Sequence, residues 1–276
     1  MPIPIETVVT DSFSMRYFRF GSGETPFVIL PGLSVQSVML SAKEVAQAYE
    51  KTARRFTVYV FDRREELPPV YSISEMAKDT VTAMRTLGLK DIRLFGASQG
   101  GMIALLSASM APDLVKALVI GSSTPKMGKG SGKKILEWVE LAKEGKAEEL
   151  YLSFGEAIYP PAMFANIRHA LLNAADTVTK EELSRFVILA STIDDYNALP
   201  VLKKIICPTL VLGSEDDAIV GSEASWEIYN GLTGSPKASI YLYNGYGHAS
   251  FDSAPDYQDR ILDFLEDAGC LPGSDA

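Results

Sequence analysis

The chain has 276 residues, 47% of them apolar, with a net charge of −9 and an isoelectric point near 4.9. That length suits one large α/β domain or two small ones, and the apolar fraction is sufficient for a full core. The acidic balance argues against a nucleic-acid partner, which needs a basic face, and against anionic membrane surfaces, leaving a small molecule as the expected partner.

The N-terminus, MPIPIETVVTDSF, has neither the basic head nor the apolar core of a secretory leader. No apolar run reaches membrane-spanning length, so a cytoplasmic location is expected. The first thirty residues read as strands: SFSMRYFRF alternates, Gly21-Ser22-Gly23 turns, and PFVILPG is a short buried run. Helical spacing over 37–56 is followed by the buried strand FTVYVFDRR. Ser74, with Ala77 and Val81, opens a helix that Gly88 closes as a C-cap. The strand DIRLFG, the helix GGMIALLSASMAP and the strand KALVIGSS come next. Strand and helix alternate with short links, the signature of a mostly parallel sheet flanked by helices.

From about Thr124 to Pro200 the rhythm breaks into helical patterns without a buried strand. GKGSGKK reads as a solvated, basic hinge, and its spacing fails the phosphate-loop pattern because Met127 stands where the first glycine belongs. The aromatic residues and methionines that follow, including Trp138, Phe164 and Phe186, are packing residues by default. The α/β rhythm resumes with CPTLVLGSEDD, SWEIYNGLTG and ASIYLYNGYGH, and closes on the helix APDYQDRILDFLEDAG; the tail CLPGSDA is expected to fray. Cys207 and Cys270 lie far apart, without disulfide or metal spacing, and the two histidines are equally remote from each other. No metal or cofactor is expected.

Gly96-Ala97-Ser98-Gln99-Gly100 fits G-x-S-x-G, a sharp strand-to-helix turn that lifts a serine hydroxyl out of a sheet. A serine becomes a nucleophile when a base takes its proton, and histidine has the suitable pKa. His169 lies in the helical stretch. His248 follows the last strand, at the side of a parallel sheet where ligands bind, and is the better base. Histidine in turn needs a carboxylate, and the turn after the penultimate strand offers Glu215, Asp216 and Asp217. Asp62 and Arg63 read as structural hydrogen-bonding or ion-pairing residues.

Over nearly its whole length the sequence resembles the α/β-hydrolase fold family. GASQGG resembles the nucleophile elbow, LPGLS at 30–34 the oxyanion loop, and GSEDDAIVG and GYGHAS the acid and histidine loops. Pro31 departs from the histidine frequent in that loop, and DRREELPP lacks the glycine usual after the arginine. The resemblance implies a hydrolase core at 1–123 and 201–276 with a helical cap at 124–200. It implies a catalytic Ser98, Asp217 and His248, the family spacing favouring Asp217 over Asp216. Backbone amides of Leu33 and Gln99 would form the oxyanion hole, while Phe154, Tyr159 and Met163 on the cap would line the substrate pocket. The expected activity is hydrolysis of a small ester, thioester or lactone without a cofactor. The fold also serves amide and carbon–carbon bond hydrolysis, and slow-turnover ligand sensors that keep the same three residues.

Overall fold

A computed structural model describes residues 2–127, 132–191 and 196–272. The basic link falls partly outside the described residues, at 128–131, as do 192–195 and the last four residues of the tail.

Two antiparallel strands, β1 (Ile5–Val9) and β2 (Ser14–Phe20), lead into β3 (Pro26–Leu30). The predicted helix over 37–56 is broken into a 3-10 turn, α1 (Ala42–Ala48) and α2 (Glu50–Ala53). Then come β4 (Thr57–Arg64), α3 (Ile73–Thr86), β5 (Ile92–Ala97), α4 (Gln99–Met110) and β6 (Val115–Gly121). Among the described residues four α-helices follow before the next strand: α5 (Lys133–Lys143), α6 (Ala147–Ile158), α7 (Pro161–Thr177) and α8 (Lys180–Ser191). The chain ends with β7 (Thr209–Ser214), α9 (Ser222–Gly231), β8 (Ala238–Tyr243), α10 (Ser250–Ser253) and α11 (Tyr257–Asp267).

The eight strands form one sheet in the order β1-β2-β4-β3-β5-β6-β7-β8. β2 meets β4 antiparallel, and every pairing from β4 through β3 to β8 is parallel. Parallel strands covered by helices on both faces read as unbroken apolar runs, and β5 and β7 are buried at every position. Successive residues point to opposite faces: Leu94 joins the core beneath α3 and α4, Phe95 the core with Tyr257 and Leu265 of α11. Trp138, Leu150 and Phe186 of the four-helix stretch pack into the same core as Leu94. Among the described residues no helix is long and apolar enough to cross a membrane.

α3 starts earlier than the expected Ser74. Its N-cap is Ser72, whose hydroxyl accepts from the Glu75 amide while the Glu75 carboxylate accepts from the Ser72 amide. That reciprocal box satisfies two otherwise orphan donors and decides the start. Gly88 lies just past the C-cap with φ +68°.

Candidate active site

The turn after β5 is built around close approach. Ser98 has φ 53° and ψ −120°, a conformation that side chains rarely adopt and that persists only when its surroundings enforce it. A Cβ on Gly96 would strike the Gly100 carbonyl, and one on Gly100 would strike the Leu30 carbonyl. Only glycine lets α4 begin this close to β3 and β5. The Ser98 amide donates to the Gly121 carbonyl (2.8 Å), and the Ser123 hydroxyl donates to the Ser98 carbonyl (2.8 Å). The strained residue is thereby pinned to the end of β6, with its side chain half-buried.

His248 follows β8 in a turn with Gly245 and Gly247 at positive φ. Its Nε2 lies 2.9 Å from Ser98 Oγ, and its Nδ1 lies 2.8 Å and 3.0 Å from the two carboxylate oxygens of Asp217. Both residues are buried. Burial would raise the Asp217 pKa, but the His248 imidazole and the amides of Val220 and Ile219 outweigh it, holding the carboxyl below its ordinary value. Asp216 points elsewhere: its oxygens accept from the amides of Gly245 (3.2 Å) and Gly247 (3.1 Å), bracing the turn that carries His248. His169 is exposed on α7, away from this group. A hydroxyl, an imidazole and a carboxylate in one line can pass the hydroxyl proton to the imidazole while the carboxylate fixes the tautomer.

Leu33 and Gln99 border a small cavity beside Ser98, together with Gly32, Ser34, Arg63 and Leu189. The loop is close enough that a Cβ on Gly32 would sit 3.2 Å from Ser98 Cβ. Phe154 packs against Trp138 with ring centroids 4.5 Å apart and the planes tilted by 42°. The Tyr159 hydroxyl donates to Asp252 (3.1 Å), and Met163 is half-buried on α7. None of these three borders the small cavity.

Several contacts at the site were not foreseen from sequence. The Gln99 side chain donates to the Leu189 carbonyl on α8 (2.8 Å). Arg185, also on α8, pairs with Asp62 (3.3 Å) and donates to the carbonyls of Arg63, Arg64 and Glu65. The Ala249 amide donates to the Ile158 carbonyl at the end of α6 (2.9 Å). The four helices are thus tied both to the serine turn and to the histidine turn. Neither Asp252, whose partner is Tyr159 on the far side of β7 and β8 in the chain, nor Arg185 had a local sequence signal, because their partners lie far away in the chain.

The family model described as "Alpha/beta hydrolase family" matches residues 27–258. RutD of Pseudomonas savastanoi pv. phaseolicola, provisionally named a carbamate hydrolase, is 28% identical over 72% of this chain and 77% of its own length. The serine hydrolase BPHL of Mus musculus is 25% identical over 77% of this chain and 70% of its own. Among solved structures, MGS-M2, an alpha/beta hydrolase enzyme from a Medee basin deep-sea metagenome library, superposes with a TM-score of 0.83 at 19% identity, covering 95% of this chain and 97% of that one. The enol-lactonase from Burkholderia xenovorans LB400 gives 0.77 at 17% identity, covering 95% and 100%.

Proposed function

The chain belongs to the alpha/beta hydrolase family, and from that premise we propose that it is a serine hydrolase acting on a small ester, thioester or lactone. The observation that carries this reading is the continuous line Asp217–His248–Ser98, with contacts of 2.8 Å and 2.9 Å. Ser98 Oγ attacks the acyl carbonyl as His248 Nε2 takes its proton, and Asp217 stabilises the imidazolium. The amides of Leu33 and Gln99 receive the developing oxyanion, each such donor typically lowering the barrier by roughly 3 kcal/mol. His248 returns its proton to the leaving oxygen or sulfur. It then activates a water that attacks the acyl-Ser98 carbonyl and frees the acid.

The helices between β6 and β7 act as a cap in this scheme, with the hydrolase core at 1–123 and 201–276. Tyr159, held against the histidine turn through Asp252, forms the acyl-pocket wall with Phe154 and Met163. The names of two relatives, a carbamate hydrolase and a serine hydrolase, support hydrolysis of a carbonyl substrate by an activated serine. Intact-protein mass spectrometry during p-nitrophenyl acetate turnover tests the reading. It predicts an acetyl adduct on Ser98, and Ser98→Ala should lose both the adduct and at least about a thousandfold in turnover. Undiminished turnover in Ser98→Ala would refute it.

A further inference from the structure

Arg63 lies near the end of β4 and is only 4% exposed. A guanidinium keeps its proton in a protein, so this is a buried positive charge, and burying a charge is costly unless it is paired. Among the described residues no carboxylate lies within ion-pair distance of it. The adjacent Asp62 carboxylate is taken up by Arg185 (3.3 Å), the Ser37 hydroxyl (2.5 Å) and the backbone amide of Arg63 (2.7 Å). The guanidinium reaches instead to the two segments that flank Ser98. Its Nη2 donates to the Pro31 carbonyl (2.9 Å), next to Gly32, and to Gln99 Oε1 (3.2 Å), next to Ser98. Gln99 then passes the connection to the Leu189 carbonyl on α8, and Arg63 borders the same cavity as Leu33 and Gln99.

We propose that Arg63 is a positioning residue for the oxyanion site: one guanidinium nitrogen spaces the Pro31–Leu33 loop against the Ser98–Gln99 turn so that the two backbone amides converge. Its positive charge borders the same cavity as Leu33 and Gln99, where it favours an oxyanion forming at those amides. This rests on the serine-hydrolase reading. A lysine would keep the charge, but its point-like ammonium on a flexible stem would not hold the two acceptors in the fixed geometry of the planar guanidinium.

Arg63→Met and Arg63→Lys are compared with the unaltered chain in p-nitrophenyl acetate hydrolysis. The same proteins are titrated with a trifluoromethyl ketone, whose adduct with Ser98 carries the oxyanion. Arg63→Met should lower kcat roughly ten- to a hundredfold, with KM within about threefold. Ketone affinity should fall by the same factor as kcat, and Arg63→Lys should lie between. Unchanged kcat would overturn the proposal, as would ketone affinity that stays constant while kcat falls, because a residue that only packs the loop gives no such coupling. If Arg63→Met fails to fold by near-ultraviolet circular dichroism, Arg63→Lys decides by the same two readouts. An unaltered chain that neither hydrolyses the ester nor binds the ketone would instead refute the serine-hydrolase reading, and this inference with it.

Discussion

Asp217 reaches the His248 imidazole while its neighbour Asp216 turns to the amides of Gly245 and Gly247, so two adjacent carboxylates support one histidine in different ways. Asparagine at 217 can present its amide to Nδ1 and favour the wrong tautomer; Asp217→Asn should therefore cost about 10³–10⁴ in kcat. Asp216→Asn keeps an acceptor for the turn and should cost less than about tenfold; steady-state kinetics of the two variants separate them. The lowered Asp217 pKa also has a stability consequence. Because the folded value is depressed, its contribution is complete above the ordinary carboxylate range near pH 4 and is lost as pH falls through the folded value. Denaturant titrations should find a stability gap between the unaltered chain and Asp217→Asn that is constant from about pH 7 to 5 and narrows below about pH 4. At this scale the sequence was informative because the requirements are local. A serine at positive φ demands small neighbours, and G-x-S-x-G displays them. The Arg63–Pro31–Gln99 bridge was not legible, since nothing local distinguishes a guanidinium that serves two distant loops from one in a surface ion pair.

The elements differ in how far their own sequence defines them. α3 is set by the Ser72–Glu75 box, a signal present in the sequence beside the Ser74 that periodicity favoured. Ser72→Ala should lower stability by about 1 kcal/mol and Tm by roughly 2 °C, with kcat/KM unchanged, as calorimetry and an ester assay would check. The apolar pattern over 160–192 runs through two helices, α7 and α8. A second box divides them, with the Thr179 hydroxyl accepting from the Glu182 amide and the Glu182 carboxylate from the Thr179 amide. The buried parallel strands were the most legible elements: β5 and β7 are covered on both faces, so their sequences have no polar face to obscure the pattern.

Across the whole molecule, the four helices between β6 and β7 are fastened at two places. α6 meets the histidine turn through Ile158 and Ala249, and α8 meets the serine turn and β4 through Leu189 and Arg185. Contacts of this kind join residues ninety or more positions apart, as in Gln99 with Leu189 and Arg185 with Asp62, and pattern reading along one chain has no access to them. Arg185→Ala removes the cation from a largely buried Asp62 and should cost roughly 1–3 kcal/mol in urea unfolding. With α8 less firmly held over the site, KM for p-nitrophenyl acetate should rise more than kcat falls. Under the proposed mechanism Ser98 is activated by His248 and Asp217 together. Fluorophosphonate labelling of the native protein, with the adduct located by peptide mass spectrometry, tests it most directly. A stoichiometric adduct on Ser98 that is lost in His248→Ala is expected; an unlabelled Ser98 in folded protein, or labelling indifferent to His248, would overturn that mechanism.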